Sequence, residues 1–231
     1  MLEEGLCSFP HGTVLKKKEG TTLNIASRDY ILKRLLHEHY SRDTDTRTAV
    51  FEAEDPENKV VIVKFRVQMY PVHVTEEDYS WEPIISENFA KEIDVLQKCE
   101  SIGCTPSYIA HDERTQDITD PLPNGNLRIL VMSKVPGEWA RGISRQLSFE
   151  KDILVIRDQV LYVFEQMRLR NFDFSSLNAA RDLKYDRQSK RIYWTGLSAL
   201  AFRSDYMRPV TESSTYFKHT MVALGRHDWG W

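Results

Sequence analysis

The chain reads as an α+β protein of two lobes, a sheet-rich lobe carrying one helix and then a reduced helical lobe. Three observations predict this. The run Val60-Val61-Ile62-Val63-Lys64-Phe65-Arg66-Val67 is rich in β-branched residues and follows a strand-like stretch over 48–53 and a turn at Asp55-Pro56-Glu57-Asn58, so the two runs form a hairpin. Between residues 86 and 96, Phe89, Ile93 and Leu96 recur at helical spacing. Between residues 149 and 167, Ile153, Ile156, Val160, Phe164 and Met167 hold the helical period over a longer span.

A chain of 231 residues holds one large domain or two small lobes and buries a sizeable core. Hydrophobic content of 41% and charged content of 28% are those of an ordinary globular protein. A net charge of -3 argues against a general nucleic-acid or anionic-membrane surface. Lys16-Lys17-Lys18 reads as a solvated face. Glu3 and Glu4 and the lack of a long apolar stretch in 1–10 argue against a secretory signal. No apolar run reaches the roughly 20 residues of a membrane-spanning helix. Cys7, Cys99 and Cys104 are odd in number and lack metal-ligand spacing, which fits reduced thiols in an intracellular protein, cytoplasmic or nuclear. The expected division is an arm over 1–20, a first lobe over 21–134 and a second over 135–231.

Taken in order, 22–40 is mixed, and Tyr30, Ile31, Leu35 and Leu36 fit one face of a short helix or part of a strand. Residues 41–46 are polar and turn-like, and the hairpin follows. A connector with Pro71 and Pro83 leads to the first helix, with Ser86 as N-cap and Glu87 in its first turn. Residues 103–110 read as a turn entering a strand, 112–126 as a loop marked by Pro121, Pro123, Asn124 and Gly125, and 127–132 as a buried strand. Turn chemistry at Val135-Pro136-Gly137 ends that strand. The long helix follows with Ser148 as its cap. Beyond Phe202, residues such as Tyr216, Phe217, Met221 and Leu224 supply a small helix or two.

The lysine inside the β-branched run carries the first chemical signal. An ammonium is costly to bury unless paired, and Glu92, at the edge of the apolar face of the first helix, is the candidate partner. Val61-Ile62-Val63-Lys64, followed by a helix glutamate and then by the Pro-Gly segment after a buried strand, resembles the protein-kinase-like superfamily, in particular aminoglycoside-phosphotransferase-like and fungal kinase-like proteins. The resemblance spans roughly Thr48 to Phe202. It implies a two-lobed minimal kinase-like fold. It also implies that Lys64 holds nucleotide phosphates, that Glu92 orients it, and that Met132 and Val135 at the hinge face the nucleotide.

The chain departs from the family pattern where phosphoryl transfer is carried out. The region over 38–46, where a glycine-rich loop belongs, holds no glycine, and without glycine close backbone approach to phosphate is harder. After the long helix, H-R-D-x-x-x-x-N is expected. Two registers compete. One matches Asn171-Phe172-Asp173 to H-R-D, making Asp173 the base and Asn178 the metal asparagine. The other matches Asp182 to the metal asparagine, leaves Leu177 or Ser176 at the base position, and is preferred because it needs no extra residues before the next hairpin. The D-F-G position then falls on Gly196-Leu197-Ser198, where the magnesium-binding aspartate is absent. Asp182 and Asp205 are the remaining carboxylates, and each would have to move in from elsewhere.

The resemblance therefore implies a catalytically impaired, pseudokinase-type binding or regulatory module with a protein partner. ATP and magnesium are the implied cofactors, and the missing residues count against both. The alternative is an atypical ATP-dependent phosphotransferase using Lys64, Glu92, Asp173 and Asn178. A third reading is an unrelated α+β interaction module. The short chain after Phe202 argues against a peptide-phosphorylating enzyme of the usual kind. His37-Glu38-His39 reads as a solvated turn or helix end, and the C-terminal Trp229 to Trp231 as a packing or docking tail.

Overall fold

In the computed structural model, the described residues are 13–41, 44–70, 82–140, 149–173, 182–197, 201–202 and 208–224. The chain divides into two compact units, residues 1–86 with 108–134, and residues 87–107 with 135–231.

The first unit is built on one antiparallel sheet. Its strands are β1 (Thr22–Ile25), β2 (Arg28–Ser41), β3 (Thr46–Glu54), β4 (Val60–Gln68), β5 (Tyr108–Thr115) and β6 (Asn126–Ser133). Their order across the sheet is β1-β2-β3-β4-β6-β5. The β-branched run becomes β4, paired with β3 through Asn58, a turn residue at φ 60°. Strand alternation sends Val61, Val63, Phe65 and Val67 into the core with Ala49, Phe51, Ala53, Ile129 and Val131. Phe51 and Phe65 meet edge to face, their centroids 5.5 Å apart.

The stretch over 22–40, equally readable as helix or strand, is β1 and β2. The turn between them places Ala26 and Ser27 at φ 50° and 62°, a left-handed two-residue turn of the hairpin kind made without glycine or asparagine. Register shifts between Leu32 and Arg34 and between Leu35 and His37 break the alternation of β2. β5 continues to Thr115, so the loop expected from Asp112 begins at Gln116.

The end of the expected arm is anchored. Leu15, in a 3-10 turn over Leu15–Lys18, is fully buried in the sheet core. The Glu38 carboxylate accepts the Val14 N–H at 2.9 Å and the Leu15 N–H at 3.2 Å, and takes Arg47 Nη1 at 2.7 Å. Both partners of this ion pair are out of solvent, with side chains 3% and 0% exposed.

Helix α1 (Glu82–Cys99) begins at Glu82 rather than at Ser86. Pro83 belongs to its first turn and not to a connector, since proline at a helix start loses no hydrogen bond. Residues 87–99 of α1 belong to the second unit, where Gly103 at φ 70° closes the following 3-10 turn.

The remaining elements are β7 (Glu138–Trp139), α2 (Phe149–Leu169), β8 (Phe172–Asp173), β9 (Leu183–Asp186), β10 (Arg191–Trp194), β11 (Ala201–Phe202) and α3 (Thr215–Ala223). They form a β10-β9-β7 sheet and a β11-β8 pair. The long periodic helix is α2, which buries Ile153, Ile156, Val160, Val163, Phe164 and Met167 and packs on β8, β10 and α3. Trp194 is fully buried against Phe164, with ring centroids 5.6 Å apart. Among the described residues, no helix is long and apolar enough to cross a membrane.

Candidate functional site

In the first unit the site begins with a strand that shows two faces. Val61, Val63, Phe65 and Val67 take the core side, so Ile62, Lys64 and Arg66 share the other and are half-buried. Lys64 stands between Val50 of β3 and Leu130 of β6. Met132 is opposite Ile62 and therefore lies on the Lys64 face, 6% exposed. Two of the residues expected at the nucleotide are thus placed on one side of one sheet.

His37 and His39 reach the same face from β2. They lie within a strand, not in a turn or at a helix end. His37 is opposite Val50, itself opposite Lys64, and His39 is opposite Thr48, itself opposite Arg66. The two rings stack with centroids 6.4 Å apart and planes 14° from parallel. Crowding by protein atoms pushes the His37 pKa below its ordinary value, and the neighbouring His39 and Lys64 push it the same way while Glu38 opposes them. Other charges on this face are also engaged. Arg128 takes Glu82 and Glu113, and Glu52 takes Lys134 at 2.6 Å, which holds its carboxyl below the usual range.

Glu92 belongs to the second unit with the greater part of α1. It sits within the buried stripe of that helix beside Phe89, Val95, Leu96 and Cys99, and is 1% exposed. The sequence placed it at the edge of the apolar face, with Ile93 inside; in the folded helix Ile93 is only half-buried. A carboxylate so deeply buried needs compensation by charge or hydrogen bonds.

Around the expected catalytic loop the described residues give two fixed points. Backbone pairing places Asp173 opposite Ala201, at the end of β8. Asp182 immediately precedes β9, and Gly196 follows β10 by two residues. The two ends of this hairpin are tied, since Thr195 donates to the Asp182 carbonyl through its N–H at 2.8 Å and its hydroxyl at 3.1 Å. The Asp182 carboxylate then lies directly against Gly196, so that a Cβ added there would overlap it. No sequence signal pairs these two residues; only the hairpin register does. Asn178, Ser198 and Asp205 lie outside the described residues, as do the side chain of Asp173 and the Trp229 to Trp231 tail. Leu197 is buried beside Gly196 in sequence, and Val135 opens the second unit after β6, 8% exposed.

Gly137 makes the neighbouring turn. At φ 93°, its Cα faces the Tyr185 carbonyl so closely that a Cβ would meet that oxygen at 2.5 Å. The turn lets β7 pair with β9, which sets Lys184 5.1 Å above the exposed Trp139 ring. Tyr185 donates to Asp152 at 3.0 Å, and its pKa is pushed up to about 12 by burial and then by that carboxylate.

Cys99 and Cys104 are buried free thiols, and burial raises Cys99 to about 11. Among the described residues, no group of three or more His, Cys, Asp or Glu side chains is placed to hold a metal.

No family model matches the chain. No curated protein matches it. Among solved structures it is similar to the kinase PK-1 of Cydia pomonella granulovirus, at 15% identity and a TM-score of 0.47, over 76% of this chain and 53% of that one. The chain thus spans about half the length of that kinase. Its own architecture is mixed α+β, with an antiparallel sheet and three α-helices among the described residues.

Proposed function

We propose that this chain is a kinase-like binding or regulatory module that no longer transfers phosphate. The observation that carries the reading is Gly196. The resemblance puts the principal magnesium ligand there, and glycine has no carboxylate to offer. Lys64 on its half-buried strand and Glu92 in its buried helix stripe are taken as surviving for structure rather than catalysis, and Met132 and Val135 as surviving at the hinge position. The preferred register, with Asp182 in place of the metal asparagine, draws support from its position immediately before β9. The ligand of such a module is a protein partner inside the cell, in keeping with the two buried free thiols.

A second reading, an atypical phosphotransferase with Asp173 as base and Asn178 at the metal, is favoured by one observation. The Asp182 carboxylate occupies the space that a side chain at 196 would fill. Magnesium binds proteins through one or two carboxylates together with substrate phosphates. The described residues offer Asp182 alone at this point, which is not the pair of ligands the family uses.

The test is the thermal midpoint of the protein and of Lys64→Ala with ATP, with and without magnesium. A ligand that binds only the folded state raises the midpoint. The expected result is that magnesium adds nothing. A magnesium-dependent rise that Lys64→Ala abolishes would overturn the proposal in favour of the phosphotransferase.

A further inference from the structure

The His37 and His39 pair has no part in the reading above. We propose that the two imidazoles chelate a divalent transition ion of the zinc, copper and nickel group, one ion per chain, with the remaining coordination positions open to solvent. The proposal is independent of the kinase-like reading. Magnesium, the ion of that reading, is a hard cation that takes oxygen ligands, whereas imidazole suits zinc, copper and nickel.

The strand sets the spacing. Beyond the irregularity between Leu35 and His37, β2 pairs residue for residue with β3 from His37 to Ser41. In a regular strand, alternate residues share a face and lie about 6.6–6.8 Å apart along the chain. His37 and His39 are such a pair. Glu38 between them turns to the opposite side, where it is buried against Arg47 and the Val14 and Leu15 amides. The two ring centroids are 6.4 Å apart and the planes 14° from parallel. Two imidazole nitrogens at about 2.0–2.1 Å from one zinc ion put the ring centroids about 5 Å apart at the tetrahedral angle, and about 6–6.5 Å apart when the ligands are opposite. The observed spacing is within reach of a shared ion. Both side chains are exposed, so rotation about χ1 and χ2 turns one nitrogen of each ring towards it. Pairing with β3 already fixes the backbone, and only side-chain rotamers are ordered on binding.

The rings are also available as ligands. Neither is hydrogen-bonded among the described residues. A metal-binding histidine must be neutral. Crowding by protein atoms, and then His39, push the His37 pKa below its ordinary 6.5, so this ring is neutral at pH 7. Lys64 faces His37 across Val50, and an ammonium opposes a second cation. Its influence at His37 is smaller than that of the Glu38 carboxylate, which acts in the other direction, and Lys64 has an interaction of its own. Two protein ligands are fewer than the four of a structural zinc site or the three of a catalytic one. The ion is therefore held at the surface and exchanges, and the fold does not depend on it.

The experiment is calorimetric titration of the full chain with zinc chloride at pH 7.5, repeated with magnesium chloride. The proteins are the wild type, His37→Gln, His39→Gln and His219→Gln, the last an exposed histidine of α3 that controls for general loss of imidazole. A chain with seven histidines can collect such ions elsewhere, so the quantity read is the binding that depends on the pair. Electron paramagnetic resonance of the same proteins with one equivalent of copper counts the imidazole nitrogens on the ion. Equal thermal midpoints of the metal-free proteins show that the exposed substitutions leave the fold intact. The expected result is one pair-dependent zinc ion per chain, its affinity at least about tenfold weaker in either single variant, since even the loss of a group that only supports a ligand costs about ten- to a hundredfold. The copper spectrum of the wild type carries two imidazoles and that of each pair variant loses one. His219→Gln matches the wild type, and magnesium binding depends on neither His37 nor His39. Unchanged zinc binding in His37→Gln or in His39→Gln, no zinc binding by the wild type, or a wild-type copper spectrum with a single imidazole overturns the proposal. The kinase-like reading is tested with ATP, magnesium and Lys64→Ala, so the two fail separately.

Discussion

Replacing Gly196 by alanine distinguishes the folded structure from sequence intuition by sign. Gly196 does not occupy the left-handed region, so by backbone considerations alone alanine stabilises, by about 0.4–1 kcal/mol, through a less flexible unfolded chain. The structure demands the opposite. The new Cβ overlaps the Asp182 carboxylate and comes within 2.9 Å of the Asp182 Cβ. The backbone offers little relief, because both Thr195 hydrogen bonds pin the Asp182 carbonyl to the next segment. Asp182 must therefore leave its rotamer, and overpacking of this kind costs about 1–3 kcal/mol. The net expectation is a loss of about 1–2 kcal/mol by these two terms. In an Asp182→Ala background the clash is gone, and the same substitution becomes neutral or stabilising. Urea denaturation of the four proteins closes the cycle, with a coupling of about 1–3 kcal/mol between the two positions. A Gly196→Ala protein more stable than the wild type, or one whose cost persists without the Asp182 carboxylate, refutes the contact.

Other perturbations follow from buried polar groups. Glu38→Ala leaves Arg47 buried without its carboxylate and releases the Val14 and Leu15 amides, so denaturant midpoints should report a loss of about 3–5 kcal/mol, most of it recovered when Arg47→Met is added. A cost below about 1 kcal/mol, the scale of a surface pair, would mean the pair is solvated. The Tyr30 hydroxyl is fully buried and has no hydrogen-bond partner among the described residues, so Tyr30→Phe should hold or raise stability by up to about 1 kcal/mol. A clear loss in the same denaturation assay would reveal a partner for that oxygen. Arg168 holds the Glu165 carboxyl below its ordinary 4.5, helped by the Val210 N–H. A depressed carboxylate stabilises fully above its unfolded value and loses that contribution as the pH falls through its folded one. Thermal midpoints measured from pH 6 down to 3 should therefore drop less steeply in Glu165→Gln than in the wild type; parallel curves would exclude the linkage.

How much of this was legible depends on the local physics of each element. β4 announced itself because β-branched residues suit a pleated, half-buried surface, and α2 because its apolar residues keep one face over 21 residues. α1 starts earlier than the sequence suggests because Pro83 reads as part of a connector, whereas in a first turn proline costs nothing. β1 and β2 stayed ambiguous for two reasons. Their turn uses Ala26 and Ser27 at positive φ, which no composition signal marks, and the bulges in β2 shift Leu35 and Leu36 out of alternation. The strand positions of Lys64 and Met132 are legible because both lie in runs of apolar residues that suit a strand. The contact of Asp182 with Gly196 and the row linking His37 to Lys64 depend on strand register between residues 13 to 27 apart in sequence, about which a single chain's composition says nothing.

Release of the γ-phosphate of ATP in the presence of magnesium tests the central claim most directly. It would be measured with the wild type, Lys64→Ala and Asp182→Asn under single-turnover conditions. The predicted result is that all three proteins release phosphate at the rate of the buffer alone, because glycine at position 196 offers no carboxylate to hold the metal. A magnesium-dependent rate in the wild type, lost in both variants, would contradict it and make Asp182 the relocated metal ligand of a working phosphotransferase.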